Sequence, residues 1–517
     1  MDSGKEPIRK FSRGSLRLVL GGAAKESLIV FSDVHLGADL HAQAKETGFG
    51  KLSPALDKDL VAFLDYYRQT KPDGDRFRIV INGDFIDFIG MAVPAEESGE
   101  VFLTELNDEE KQHGLGNTED QACAKLRMVA RRHTEVFAAL ARFIAAGNTV
   151  SIVRGNHDLE FDWKAVRMEF KALLWDRLEA KTEPAEEFAS RIEFEPWFLY
   201  APGLAYIEHG HQYDPYCATD HMMVPYSVHD NRRMWRGFSE TLLRYVVRPT
   251  RGLRDHGHEK MGIVDYFRFG LSLGAFGIVK LGLRFARALR ELFRLRAAYF
   301  GEAAIALREE HDRRVALIAE ATRIGLDRLK ALAALQAPPV TRTIRGILAS
   351  VLLDKIALAV IAMVAMMSVA IFQARHGHGW YASLIVLVAW AVFHRHLTGQ
   401  RQIDPTNHLR ERAGKLIEIF PAPYVIMGHT HAPTEEPIAG GASTYVNLGS
   451  WAEEADADKG PPEARAARTF LLLSKKDSGV VAEFLRWDSE VGPYPFAGPR
   501  PAPNPESPET SEPRKAG

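Results

Sequence analysis

Phe77-Arg78-Ile79-Val80-Ile81-Asn82-Gly83-Asp84-Phe85-Ile86-Asp87 begins as a strand and ends as a cluster of polar groups. Residues 77–81 are strand formers, and Asn82-Gly83-Asp84 stops them. The same order recurs four times. Residues 28–31 run into Ser32-Asp33-Val34-His35, and 149–153 into Arg154-Gly155-Asn156-His157-Asp158. Residues 205–207 run into Glu208-His209-Gly210-His211, and 424–427 into Gly428-His429-Thr430-His431. Helical stretches at 54–68 and 120–146 separate the first three. Strands alternating with helices predict an α/β sheet, whose ligand sites gather at the carboxyl ends of the strands. Further strands at 444–448, 469–474 and 480–487, with a hairpin around Pro202-Gly203, predict a second sheet against the first.

The composition narrows the field. Sixty-five Lys and Arg against sixty-seven Asp and Glu leave a formal charge of −2, which gives no electrostatic case for nucleic-acid binding. A 517-residue chain with 46% hydrophobic and 26% charged residues is globular and can bury a large core. Cys123 and Cys217 are too few for a disulfide framework or a thiolate zinc site, and fit a reducing compartment. The N-terminus is basic, but its apolar run at 16–24 is short and carries Arg17. No cleaved signal is expected, and the chain is expected to begin in the cytoplasm.

Residues 1–26 read as an N-terminal extension, and 27–214 with 402–490 as two parts of one catalytic domain. Residues 215–401, rich in Arg, Leu, Ala and Phe and without any of the five motifs, read as a helical insertion. Residues 491–517, rich in Pro, Ser and Glu, read as a disordered tail. Inside the insertion, 356–372 and 380–393 are free of charge. At 1.5 Å per residue they reach about 26 and 21 Å, short of the roughly 30 Å hydrocarbon core unless flanking residues contribute. A turn-like Gln373-Ala374-Arg375-His376-Gly377-His378-Gly379 separates them, and Trp380, Tyr381 and Trp390 suit an interface. If motifs on both sides of the insertion share one site, the chain must cross an even number of times. Arg342, Arg345 and Lys355 before the pair and Arg395 and Arg401 after it, with Arg375 alone between, favour the same arrangement. The expectation is a transmembrane hairpin at 351–396 with the catalytic domain cytoplasmic; an in-plane hairpin and a soluble helical subdomain are the alternatives. Residues 264–290 mix Phe267, Phe269, Leu271 and Phe276 with Arg268, Lys280, Arg284 and Arg287. They read either as a basic amphipathic element at a membrane surface or as a helix packed on the catalytic domain.

Any one motif is weak, since a lone histidine is more often structural than a ligand. Five at strand ends are not. Carboxylate and imidazole groups without thiolates suit divalent first-row metals: Mn, Fe or Zn, with Mn favoured. The set resembles the calcineurin-like metallophosphoesterase family, whose pattern runs D-X-H, G-D-X-X-D, G-N-H-D/E, H and G-H-X-H. Here it is carried by Asp33 and His35, Asp84 and Asp87, Asn156 with His157 and Asp158, His209, and His429 with His431. One position departs: the residue after the second carboxylate, commonly arginine, is Phe88.

The resemblance implies a four-layer α/β/β/α sandwich and two divalent cations that activate a water for in-line attack on phosphorus. It assigns Asp33, His35 and His431 to the first ion, Asp84 to both, and Asn156, His209 and His429 to the second. It makes His157 the phosphoryl contact and proton donor, oriented by Asp158, with Asp87 supporting its turn or a ligand and His211 supporting the ligands. Arg154 reads as a phosphate contact or as a salt-bridge partner. Asn447-Leu448-Gly449-Ser450-Trp451 also resembles a family segment and is expected to shape the cavity edge. The expected substrate is a phosphate ester or pyrophosphate, lipid-linked or nucleotide. One branch of the family cleaves UDP-2,3-diacylglucosamine, but it commonly carries Arg where this chain has His157. A membrane-bound scaffold or regulator without turnover is the competing reading.

Overall fold

A computed structural model describes residues 26–41, 49–250, 268–269, 272–351, 353–377, 380–399, 405–452, 468–476 and 479–501. Two sheets organise them. In the first, β1 (Glu26–Phe31), β2 (Arg76–Asn82), β3 (Thr149–Val153) and β4 (Ile192–Glu195) run parallel, with Ile29 opposite Ile79 and Ile79 opposite Val150. The second contains β5 (Phe198–Ala201), β6 (Ala205–Glu208), β7 (Tyr424–Met427), β8 (Thr434–Ile438) and β9 (Ser443–Asn447), in the order β5-β6-β7-β9-β8. Three more strands, β10 (Thr469–Lys476), β11 (Gly479–Asp488) and β12 (Gly492–Pro495), return antiparallel to the free edge of β1.

That last placement corrects the expected grouping. The strands at 469–474 and 480–487 belong to the first sheet, and the motif-bearing strands at 205–207 and 424–427 belong to the second. A run of β-formers shows that a strand exists; which edge it joins depends on contacts far away in sequence. The expected tail is also corrected at its start, because β12 pairs with β11 inside residues 491–517.

Strand alternation explains the layers. Leu28, Val30, Val80, Val153, Leu471 and Leu473 of the first sheet meet Leu199, Ile207, Ile426 and Val446 of the second. Side chains one residue out of phase, Ile29, Phe31, Ile79 and Ile81, face the other way, toward helices. Those helices are α1 (Phe49–Gln69), α2 (Glu119–Arg132), α3 (Thr134–Ala145) and α4 (Lys164–Asp176). In α3 the buried Val136, Phe137, Leu140, Phe143 and Ile144 make one apolar stripe. The single helix expected at 120–146 is two, broken at His133, whose Nδ1 lies 2.7 Å from Asp57 Oδ1. Phe63 of α1 packs its ring on Phe31, Trp451, Phe470 and Trp487, tying the helix to the adjacent strands β1, β10 and β11.

The insertion begins as part of this core. Met222, Met223, Val224, Tyr226, Met234 and Trp235 are buried with the catalytic domain. Phe238–Leu242 forms α5, and α6 (Gly274–Ala298), α7 (Glu302–Thr322), α8 (Leu326–Ala333) and α9 (Ile344–Ser350) follow. Arg314 of α7 is buried, donates to the Met223 carbonyl (2.7 Å) and lies 3.5 Å from Asp162. Leu329 and Leu332 of α8 enter the core too. The next two helices, α10 (Leu353–His376) and α11 (Trp380–Gly399), pack on each other. Their large apolar side chains are exposed, including Ile361, Met367, Phe372, Ile385, Val392 and Phe393. Among the described residues one segment, Ala357–His376, is long and apolar enough to cross a membrane, and Tyr381–Leu397 is shorter. Finally α12 (Thr406–Ile419) buries Leu409, Ala413 and Leu416 under the second sheet. The expected N-terminal extension, residues 264–267 and most of the tail lie outside the described residues.

Candidate metal centre

All five motifs sit on the loops that leave β1, β2, β3, β6 and β7, and the two-sheet packing brings these loops together. Their backbones interlock. The Asp33 amide donates to the Gly83 carbonyl (3.2 Å), and the Val34 and His35 amides to that of Asp84 (3.0 and 2.9 Å). The His157 amide donates to Asp84 Oδ1 (2.8 Å), and the His429 amide to Asp33 Oδ2 (3.1 Å). Glycine at 155 and 428 makes this approach possible, because a Cβ at either would overlap the Asp84 or the Asp33 carboxylate. The Trp451 and Ala452 amides and the Ser450 hydroxyl close on the Asp33 carbonyl. The 447–451 segment is therefore a clamp on the first motif, with Trp451 buried in the core behind it.

The donor atoms converge in two adjoining groups. Asp33 Oδ1 lies 3.2 Å from His431 Nε2, which is 3.4 Å from His35 Nε2. Beside it, His209 Nε2 lies 3.2 Å from both Asp84 Oδ2 and Asn156 Oδ1, and His429 Nδ1 is 3.1 Å from Asn156 Oδ1. Ligand atoms of Asp33, His35 and His431, and of Asp33, Asp84 and His209, lie within 4.8 Å of one another. His209 Nδ1 is occupied by the Asn82 carbonyl (2.8 Å), so Nε2 is the nitrogen left facing the group.

The electrostatics fit a site for positive charge. Burial opposes ionisation of Asp33 and Asp84, but the surrounding imidazoles hold both below the ordinary carboxylate range. Against burial, Asp84 and Asp33 push His209 up to about 9, and Asp84 and Asp87 push His157 up to about 10. Nitrogen facing nitrogen, and carboxylates drawing protons onto imidazoles, are what a centre built for divalent cations shows when described from its protein atoms. The nitrogen and oxygen donors of these two groups suit first-row divalent ions, and Cys217 Sγ adjoins the second through Asp214 and His429.

Two supporting residues differ from expectation. Asp87, not Asp158, meets the His157 ring: Nδ1 lies 2.6 Å from Asp87 Oδ1. Asp158 instead accepts the Gly155 and Phe85 amides (2.6 and 2.9 Å) and pins the second and third motif loops together. Burial, then Asp84, raises it to about 7. Of the two roles expected of Arg154 the structure shows the salt bridge, buried rather than at the surface: its side chain is 4% exposed, pairs with Asp162 (2.9 Å) and donates to the Met222 carbonyl, leaving the cleft. His211 is buried next to His209 and His429, and burial with those neighbours holds it well below the ordinary imidazole range.

One residue was missed. Asp214 Oδ2 lies 3.0 Å from His429 Nε2, fixing the ring so that Nδ1 faces Asn156. The available signal was a carboxylate five residues beyond His209, at the expected domain boundary.

Residues 27–256 match the family model described as calcineurin-like phosphoesterase, which covers four of the five motif loops. The structure adds His429 and His431 from outside the match. No curated protein matches the chain.

Proposed function

Taking as premise that the chain carries a calcineurin-like phosphoesterase domain, we propose that it hydrolyses a phosphate ester or pyrophosphate at a centre of two divalent cations, on the cytoplasmic face of a membrane. The observation that supports this most is the imidazole of His157, held by Asp87 beside the converged donor atoms. A purely structural metal site has no use for it.

Asp33, His35 and His431 would hold one ion, Asn156, His209 and His429 the other, with Asp84 between them. Bound there, the ions would polarise phosphoryl oxygens and supply an activated water. The chain's own groups do the rest. Asp87 Oδ1 accepts the hydrogen bond of His157 Nδ1–H and stabilises the protonated ring, whose Nε2–H can be given to the departing oxygen. Asp214 and the Asn82 carbonyl hold His429 and His209 in the tautomers that face the cleft.

The membrane part rests on α10 and α11. The apolar part of α10, Ala357–His376, is 20 residues, about 30 Å and enough for the hydrocarbon core, while that of α11, Tyr381–Leu397, reaches about 26 Å and needs its flanking residues to span it. Gln373 of one donates to Ser383 of the other (3.1 Å), a polar tie between two apolar helices. The first half of α6 adds exposed Phe276, Val279 and Leu283, with Lys280 4.5 Å over the Phe276 ring, while Ala288 and Leu292 further along are buried. That half reads as an interfacial contact with basic side chains toward headgroups. A membrane-seated site suits an amphiphilic phosphate.

Purified full-length chain with Mn²⁺, assayed on p-nitrophenyl phosphate, bis-p-nitrophenyl phosphate and an acylated phosphate ester, tests the reading. Metal-dependent turnover that disappears in Asp84→Asn and falls sharply, with residual turnover left on the good leaving group, in His157→Ala supports it. Stoichiometric metal without turnover on any ester would favour the scaffold instead.

A further inference from the structure

The apparatus around His157 does not end with Asp87. The two carboxylate oxygens of Asp87 are divided. Oδ1 receives His157 Nδ1 (2.6 Å) and the Gly90 amide (2.7 Å), and Oδ2 faces Arg248 Nη2 at 3.6 Å. Both side chains of the Arg248–Asp87 pair are 5% exposed, so the attraction acts with little solvent screening.

Arg248 comes from the insertion, and the backbone is built to deliver it. After α5, Leu243–Val247 is a π-turn, closed by the Arg248 amide donating to the Leu243 carbonyl (2.9 Å). Such a turn inserts one residue into the helical ladder and re-aims the side chains beyond it, and it is found most often at functional sites. Leu243 and Val247 pack on Ile89, next to the Asp87 loop. Arg244 donates to the Gly114 carbonyl (2.7 Å) and pins the same turn to the catalytic domain. Residue 90 is glycine where the two meet, and a Cβ there would overlap both the Asp87 carboxylate and the Arg248 guanidinium. The neighbouring motif offers no charge of its own, since Phe88 is apolar and fully buried.

We propose that Arg248 is a positioning residue of the phosphoesterase site: its guanidinium holds Asp87, Asp87 holds the His157 imidazole, and the insertion thereby completes the proton-donating side of the cleft. This rests on the phosphoesterase reading. It makes activity dependent on the insertion being docked, although the insertion contributes none of the metal ligands. Arg248 is not placed to bind substrate, because its guanidinium is turned to Asp87 and buried.

The test is a leaving-group comparison on the full-length chain with Mn²⁺. Arg248→Met should lower kcat and leave KM nearly unchanged. The loss should be roughly 10-fold greater for phenyl phosphate than for p-nitrophenyl phosphate, because only the poorer leaving group needs the proton. Arg248→Lys should recover part of it. In a His157→Ala background Arg248→Met should add less than about twofold, as for residues acting through one group. An equal loss in that background, or an effect confined to KM, overturns the proposal. Equal losses for both leaving groups, with lowered melting temperature, reduce Arg248 to a structural tether. Should Arg248→Met not fold, Arg248→Lys and Arg248→Gln, which keep a donor near Asp87, carry the same comparison. Wild-type protein without metal-dependent turnover sinks the underlying reading, and this inference with it.

Discussion

Replacing Asp214 by alanine should loosen one cation and spare the other. A neutral imidazole carries one ring proton. With Asp214 Oδ2 3.0 Å from Nε2 of His429, that proton stays on Nε2 and the Nδ1 lone pair faces Asn156. Without the carboxylate the ring can rotate or shift its proton to Nδ1, and the donor is lost for part of the time. Carboxylates in this position are worth about 10–100-fold in metal affinity, or about 1.4–2.7 kcal/mol. The Asp214 side chain is 10% exposed, so solvent screens the contact little and the upper half of that range applies. Asp214→Asn is the control. It keeps one acceptor oxygen, which can serve His429 while the Tyr216 amide, now 2.9 Å from Oδ1, gives up its partner, and it should lose only about threefold to tenfold, as a neutral acceptor replaces a charged one. Equilibrium dialysis against graded Mn²⁺, with metal counted by mass spectrometry and folding followed by circular dichroism, reads the result. The weakened ion should be the one held by Asn156, His209 and His429. Wild-type affinity for both ions in well-folded Asp214→Ala would refute the reasoning, as would the loss of both together.

Asp84→Asn, which leaves an acceptor for the His157 amide but halves the carboxylate, should cut turnover by at least about 100-fold with little change in the circular dichroism spectrum; retained activity would place the chemistry elsewhere. His133 lies between Asp57 and Asp39, which together raise its proton affinity against burial. Its contribution to stability is therefore whole below the ordinary imidazole value, and is lost as pH rises through the higher folded value. His133→Gln should cost about 1–3 kcal/mol near pH 6 and less near pH 9; a melting-temperature gap that does not narrow with rising pH would contradict this. Deleting 353–399 should release the chain from detergent dependence and vesicle flotation, and persistence of both would assign the membrane contact to α6 instead.

Much of the centre is legible in the sequence because its chemistry is local. Asp33 and His35, or His429 and His431, stand two apart at the end of a strand, and each pair reads as polar groups where an apolar run stops. What each of these groups touches is not local. Asp158 follows His157 directly, yet the backbone turns it to the Gly155 and Phe85 amides, and the ring finds Asp87 from another loop. Arg154 is one residue from a cleft-lining glycine and points at Asp162. Sheet membership fails for the same reason: β10 reads as a strand from Thr469 onward, but only the unfilled edge of β1 decides where it pairs. The break at His133 has no breaker in its own helix, since the partners that hold it come from α1 and the loop after β1.

The backbone at the centre explains why motifs so far apart in sequence act as one unit. Among the described residues eight non-glycine positions have positive φ, and five of them are proposed ligands: Asp33 (55°), His35 (52°), Asp84 (54°), His429 (68°) and His431 (57°). Left-handed conformations at non-glycine residues cost on the order of 1 kcal/mol or more each, and they persist only where surroundings over-determine them. Here each strained loop is held by another: Asp33 and His35 by the carbonyls of the second motif, His429 by the Asp33 carboxylate, and the Asp33 carbonyl by the 450–452 turn. Each loop's conformation is thus tied to its neighbours', and the packing of the two sheets sets the ligand positions together. Arg248 extends the same logic to the proton donor, where an element from the insertion, and not the motif itself, keeps the geometry in place.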